Sequence, residues 1–222
     1  MAVSDEESIP AATVVPLRDG PSGLETLMLR KNSKLAFGGM WVFPGGRVDD
    51  GDGPGDELSV ARRAAVREAY EEAAVSIDAE QLVPFSHWTP PPGAPRRFLT
   101  WFFLAPVRHA VDVVIDMGEI HDHGWLSPSD AIARRDAGEY ELAPPTWMTL
   151  RRLGRAADVD AALAEARARE VERYATRIVV DGALISCLWA GDAGYADGDA
   201  SRPGPRNRLV MDPGGWRYEE RA

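Results

Sequence analysis

FPGGRVDD (Phe43–Asp50) and, beyond an acidic glycine-rich loop, AAVREAYEEAAV (Ala64–Val75) decide how this chain is read. The second segment predicts a helix that carries Arg67, Glu68, Glu71 and Glu72. At about 100° per residue, positions 68, 71 and 72 share one narrow sector of the helix surface. Three carboxylates there repel one another, so a merely solvated helix gains nothing from the placement. Hard divalent cations prefer oxygen ligands and draw such groups together. The face is expected to look onto solvent and metal, and the pattern points to an enzyme that acts on phosphates through bound metal. A plain solvated helix is the alternative, and the glycine pair upstream weighs against it.

Outward from this stretch, AATVVPL and LETLMLR predict two strands joined by a turn at Asp19–Gly23. The acidic helix is expected from about Leu58 to Ala74, N-capped by Asp56, with Leu58, Ala61, Ala65, Ala69 and Ala73 on its apolar side. RRFLTWFFLAPV (Arg96–Val107) is almost continuously apolar, which predicts a central strand. VDVVID (Val111–Asp116) predicts another strand, and HGWLS a short one. Ser127 and Pro128 read as the N-cap and first position of a helix. APPTWMTLRRLG and VDAALAEARAREVERY predict two more helices. The last part reads as two hairpins with turns at Asp181–Gly182 and Asp212–Gly215. Strands and helices mix without strict alternation, so an α+β sandwich is favoured over a doubly wound sheet.

The 222 residues bound one large domain, or a domain with an extension, and the hydrophobic share of 45% supplies an ordinary core. No apolar run approaches the roughly 20 residues that span a bilayer. The start, MAVSDEESIP, is acidic where a secretory signal is basic. The single cysteine, Cys187, suits a reducing cytoplasm and reads as a buried apolar residue. A net charge of -10 argues against nucleic-acid partners, though a metal can still reverse the local field for small anions. The expected partners are small phosphate-bearing molecules, with no nucleic acid and no membrane.

The quoted segments resemble the Nudix hydrolases, whose box runs G-x5-E-x7-R-E-U-x-E-E-x-G-U, U being a bulky aliphatic residue. Gly46-x5-Asp52 matches the opening with Asp for Glu, and Arg67–Val75 matches the helical half with Ala69 at a U position and Ala74 where Gly is usual. Fourteen residues separate Asp52 from Arg67 instead of seven, which reads as a seven-residue insertion in the loop. The resemblance implies an α/β/α sandwich with a mixed sheet over residues 11–155, a flexible tail at 1–10, and a C-terminal helix and hairpin extension at 156–222 packed on the same domain. That extension could cover the site or build a homodimer interface.

The resemblance also implies roles. Glu68, Glu71 and Glu72 would bind Mg2+ or Mn2+, with the Gly45 carbonyl completing one shell. Glu68 would alternatively be the base, and Asp52 a secondary carboxylate. Arg67 would orient the glutamates. Glu119, six residues ahead of Trp125, fits the further acidic residue that the family often draws from a later loop. Arg30, Arg96 and Arg97 are candidates for clamping a substrate phosphate; a structural ion pair is the alternative for Arg96 or Arg97. Trp88 and Trp101 could stack on a base but read more simply as core. His121 and His123 read as surface residues rather than zinc ligands.

Gly39-x3-Phe43-Pro44-Gly45-Gly46 matches part of the signature of coenzyme A diphosphatases, with Leu35 where an arginine is expected. FLTWFFL, WLSPSDA and LAPPTWMTLRRL are similar to members that carry an insertion in the box. The implied activity is Mg2+-dependent hydrolysis of a phosphoric anhydride, coenzyme A or an acyl-CoA leading. ADP-ribose, dinucleoside polyphosphates and NADH stay open, as does a Nudix-fold ligand sensor without catalysis.

Overall fold

Residues 8–32, 37–94, 96–108 and 111–221 are described by the structure, a computed structural model. Residues 1–7 of the expected tail, and Leu35, lie outside them; Ser8–Pro10 already open the first strand. The chain divides into two units. The first comprises Pro10–His87 and Thr100–Glu172; the second takes residues up to Ile9, Trp88–Leu99 and the chain from Arg173 onward.

The strands are β1 (Ser8–Gly20), β2 (Gly23–Lys31), β3 (Trp41–Val42), β4 (Gly45–Arg47), β5 (Val83–Thr89), β6 (Arg97–Pro106) and β7 (Ile120–Leu126). They run in the order β3-β2-β1-β6-β5, with β4 also on β1 and β7 also on β2. β1 and β2 form the expected hairpin, closing at Gly20 opposite Gly23. β6 is interior, as its apolar run requires. Its alternate residues Trp101, Phe103 and Ala105 join Ala12, Val14 and the buried alanines of the box helix α1 (Glu57–Ala73) in one cluster. A second cluster of Leu27, Leu29, Ala73, Val75, Val107 and Ile120 fixes the far end of that helix. Helices α2 (Pro128–Asp136), α3 (Pro144–Leu153) and α4 (Val159–Arg167) complete the unit. Ser127 caps α2 as expected, its hydroxyl accepting the Asp130 amide at 3.1 Å.

Two sequence expectations need correction. Val111–Asp116 is not a strand. Val111, Val113 and Ile115 do pack on the second cluster, and Val114 donates to the Ala73 carbonyl at 3.1 Å, so the alternation reports a facing, not a ladder. The last predicted helix stops at Arg167, and Glu172–Ala175 is strand β8, with the Tyr174 ring stacked on Trp88 at 4.0 Å. The first unit runs to Glu172 and includes α4, which buries Val159, Ala162, Leu163 and Ala166.

In the second unit, β9 (Arg177–Asp181), β10 (Leu184–Leu188), β11 (Arg206–Asp212) and β12 (Gly215–Arg221) form an antiparallel sheet in the order β12-β11-β10-β9. The first hairpin turns at Gly182–Ala183, one residue beyond expectation, and the second closes Asp212 on Gly215. Cys187 is buried there, and burial pushes its thiol up to about 12, out of reach of thiolate chemistry. The α+β class expected from sequence holds.

Candidate active site

Both glycines of FPGG lie in close approach to their neighbours, Gly45 to backbone and Gly46 to a side chain. A Cβ on Gly45 would stand 2.5 Å from the Ala12 carbonyl of β1, which pairs with β4. A Cβ on Gly46 would fall 2.3 Å from Glu68 Oε1, so the second glycine clears the space that the Glu68 carboxylate fills. Strand, turn and helix thus meet at this pair.

α1 begins one residue before expectation. Asp56 caps it by accepting the Ser59 amide at 3.0 Å. Of the fourteen residues between Asp52 and Arg67, only Gly53–Asp56 lie outside it. The extra length is therefore spent on helix rather than loop, and seven residues are close to two turns, which keeps the glutamates in phase. Arg62 ties the added turns to the Ala79 carbonyl at 3.1 Å, and Arg63 to the Pro54 carbonyl at 2.8 Å. At the other end Ala74 sits at φ 53°, its amide donating to the Tyr70 carbonyl at 2.9 Å. That left-handed cap is where the family usually has glycine.

Arg67 organises the acidic face. Its Nη1 donates to Glu68 Oε1 and to Glu71 Oε2, each at 2.9 Å. Its Nε and Nη2 grip both oxygens of Asp52 at 2.9 and 3.0 Å. Asp52 is buried, and its Oδ2 also accepts the Asp49 amide at 2.9 Å. Burial works against the Asp52 carboxylate, but Arg67 and that amide outweigh it and hold its pKa below the ordinary value. In the structure Asp52 holds the arginine that bonds Glu68 and Glu71. The shorter side chain reaches because the loop closes in a 3-10 turn over Asp50–Asp52.

The glutamates are not equally exposed. Glu71 is 55% exposed, Glu68 14% and Glu72 only 4% at the side chain. The expected solvent-facing sector is therefore wrong for Glu72, because β4 covers it. Glu72 Oε2 accepts the Gly45 amide at 3.0 Å, and Oε1 accepts the ammonium of Lys31 from the end of β2. Burial pushes the Glu72 carboxyl up to about 7 against the pull of Lys31 and Gly45, and raises Glu68 against Arg67. Burial opposes the Lys31 ammonium, yet Glu72 and Glu119 hold its pKa above the ordinary lysine value. Lys31 also lies 3.4 Å from Glu119 Oε2, so Glu119 joins the same constellation.

A family model described as NUDIX domain matches residues 8–146. The chain belongs to the NUDIX domain family. A Caenorhabditis elegans protein provisionally named nudix hydrolase 7 is 29% identical over 171 residues, 60% of this chain and 57% of that protein. Human acyl-coenzyme A diphosphatase NUDT19 is 38% identical over 71 residues, 31% of this chain and 19% of that protein. The matches thus span about half the length of the first curated relative and a fifth of the second. A NUDIX hydrolase from Alicyclobacillus acidocaldarius has the same fold, at 22% identity and a TM-score of 0.67, over 72% of this chain and 97% of its own.

Within the NUDIX box, Arg67, Glu68, Glu71, Glu72 and Gly45 come together, and Glu119 reaches them through Lys31. Gly45 contacts the cluster through its amide. Arg30 is exposed on β2, opposite Trp41 and Asp122. Arg96 and Arg97 belong to the other unit. Trp101 is core, donating to Glu57 Oε1 at 2.7 Å, and Trp88 lies between Tyr174 and Trp189. His121 and His123 are exposed on β7. Sequence reasoning missed Lys31, whose only signal was being one of two lysines in the chain.

Among the described residues, no three His, Cys, Asp or Glu side chains already form a finished cage for a metal ion. The donors nevertheless fit a hard divalent cation. They are carboxylate oxygens on one helix face, the donor type that Mg2+ and Mn2+ prefer.

Proposed function

We propose that this NUDIX chain is a Mg2+- or Mn2+-dependent diphosphohydrolase that cleaves the diphosphate linkage of a nucleoside-diphosphate-linked small molecule. The observation that carries the reading is the intact set Glu68, Glu71 and Glu72, the first two bonded by Arg67 and the third by Lys31, which also reaches Glu119. A ligand sensor has no need to keep three repelling carboxylates on one face.

Glu68, Glu71 and Glu72 would hold the metal, which when bound supplies positive charge for the diphosphate oxygens and makes hydroxide accessible near neutral pH. Arg67 keeps the Glu68 and Glu71 carboxylates from swinging apart, and Asp52 fixes Arg67. Gly45 and the burial around it set the position of Glu72. Glu119, 58% exposed, is assigned the proton of the attacking water. The oxygen of that water bonds to one phosphorus as the bridging P–O bond breaks, and two phosphorylated products result.

Coenzyme A or an acyl-CoA is the leading substrate, supported by the similarity to the human acyl-coenzyme A diphosphatase and by the FPGG signature. Product analysis over coenzyme A, acyl-CoA, ADP-ribose, dinucleoside polyphosphates and NADH, each with Mg2+ or Mn2+, tests this. Coenzyme A is expected to be cleaved with the highest kcat/KM. A higher value for ADP-ribose would displace it, and no cleavage of any diphosphate would remove the enzyme reading.

A further inference from the structure

Lys31 places a primary ammonium inside the acidic site, with its side chain only 12% exposed. It donates to Glu72 Oε1 and lies 3.4 Å from Glu119 Oε2. The backbone around it is held independently of this charge. The Lys31 amide donates to the Met40 carbonyl at 3.0 Å, and its carbonyl accepts the Gly39 amide at 3.0 Å. Next along, Asn32 donates its amide to the Glu119 carbonyl at 2.7 Å and its side chain to Gly118 at 3.0 Å. Asp116 accepts the Glu119 and Ile120 amides. The end of β2 and the loop that carries Glu119 are therefore neighbours by main-chain bonding, and the ammonium is not what joins them.

What the ammonium does is occupy Glu72. A buried ion pair gains little over apolar packing, so its presence is weakly explained by stability. Two cations sit in this cluster, and they differ. Arg67 is a planar fork, fixed at both ends by Asp52 and the glutamates. Lys31 is a point charge on a flexible stem with a second acceptor in Glu119, so it can leave Glu72 without losing every partner.

We propose that Lys31 is an internal counter-cation that competes with the divalent metal for Glu72: it holds the carboxylate in the metal-free protein and withdraws toward Glu119 when metal enters. It is a positioning residue, and it sets the metal concentration at which the site loads. This rests on the reading of Glu72 as a metal ligand. An ammonium beside a dication repels it and must first be moved, so removing the lysine strengthens metal binding.

The test is Mn2+ binding without substrate, by calorimetry and by the loss of the free-ion spin-resonance signal, in wild type, Lys31→Met and Lys31→Arg. Lys31→Met is expected to bind Mn2+ about tenfold tighter, with Lys31→Arg close to wild type because the charge is kept. If Lys31→Met does not fold without metal, Lys31→Gln gives the same readout while still donating to Glu72. A wild type that binds Mn2+ while neither neutral variant binds it tighter overturns this proposal and leaves the proposed function standing. An arginine variant that behaves like Lys31→Met also overturns it, since charge would not be the cause. A wild type that binds no Mn2+ overturns both.

Discussion

Asp192 in the second unit and Glu72 in the first are both buried carboxylates, and their surroundings push them in opposite directions. Asp192 accepts Arg208 Nε at 2.7 Å, the Asn207 amide at 3.0 Å and the Gly194 amide at 2.9 Å. Arg208 returns a second bond at 2.5 Å and ties Ala200 with its remaining arm at 2.7 Å. Burial disfavours that carboxylate, but the donors outweigh it and hold its pKa below the ordinary value. Glu72 has one backbone amide and one shared ammonium, with Glu68 as an anionic neighbour, and burial wins. One charge is balanced donor for donor, which suits a structural post. The other sits in a cluster with charge to spare, which suits taking up a cation.

The comparison breaks most visibly at Asp192. Asp192→Asn leaves Arg208 buried without its counter-charge, and the second unit is expected to lose about 3–5 kcal/mol in urea unfolding. A loss under about 1 kcal/mol would show the pair to be dispensable. The pH dependence follows the same residue. Its folded-state pKa lies below the unfolded value, so the stabilisation is complete above pH ~4 and drains away as the pH falls through the folded value. Acid unfolding followed by near-UV circular dichroism should show this loss in wild type and not in Asp192→Asn.

Glu72→Gln should behave in reverse. It keeps the side-chain shape and an acceptor for the Gly45 amide, and Lys31 retains Glu119 as a counter-charge, so stability should fall by no more than about 1–2 kcal/mol while kcat falls on the order of 100-fold or more. Comparable losses of both would make Glu72 a second structural post. A smaller effect is expected at Gly46→Ala. The added methyl meets the movable end of Glu68, so the fold survives and the carboxylate shifts, costing about tenfold in kcat/KM. Smallest is Ala74→Gly, which relieves the left-handed cap and should raise stability by about 0.5–1 kcal/mol, seen as a higher melting temperature.

Much of this was legible in the sequence, and for identifiable reasons. Asp56 marks the start of α1 through a bond made three residues away, and the hairpin turns are equally local. The glutamate face follows from helical phase alone. What escaped depends on distant partners. The alternation of Val111–Asp116 is real in burial, yet whether a ladder forms depends on what lies alongside. Glu172–Ala175 continues a helical pattern, and stacking of Tyr174 on Trp88 belongs to another arrangement. The box insertion counts as seven residues in any alignment, while only capping shows it to be helix. Lys31 approaches Glu72 across 41 positions of chain, and no spacing rule reaches that far.

The most direct test of the central claim is Mn2+ binding by wild type and Glu72→Gln, followed through the water-proton relaxation of the bound ion. Wild type is expected to bind, with enhancement that the substitution lowers by about tenfold or more in affinity while leaving the circular dichroism spectrum unchanged. Equal binding by the two proteins would take Glu72 out of the metal site and contradict the account.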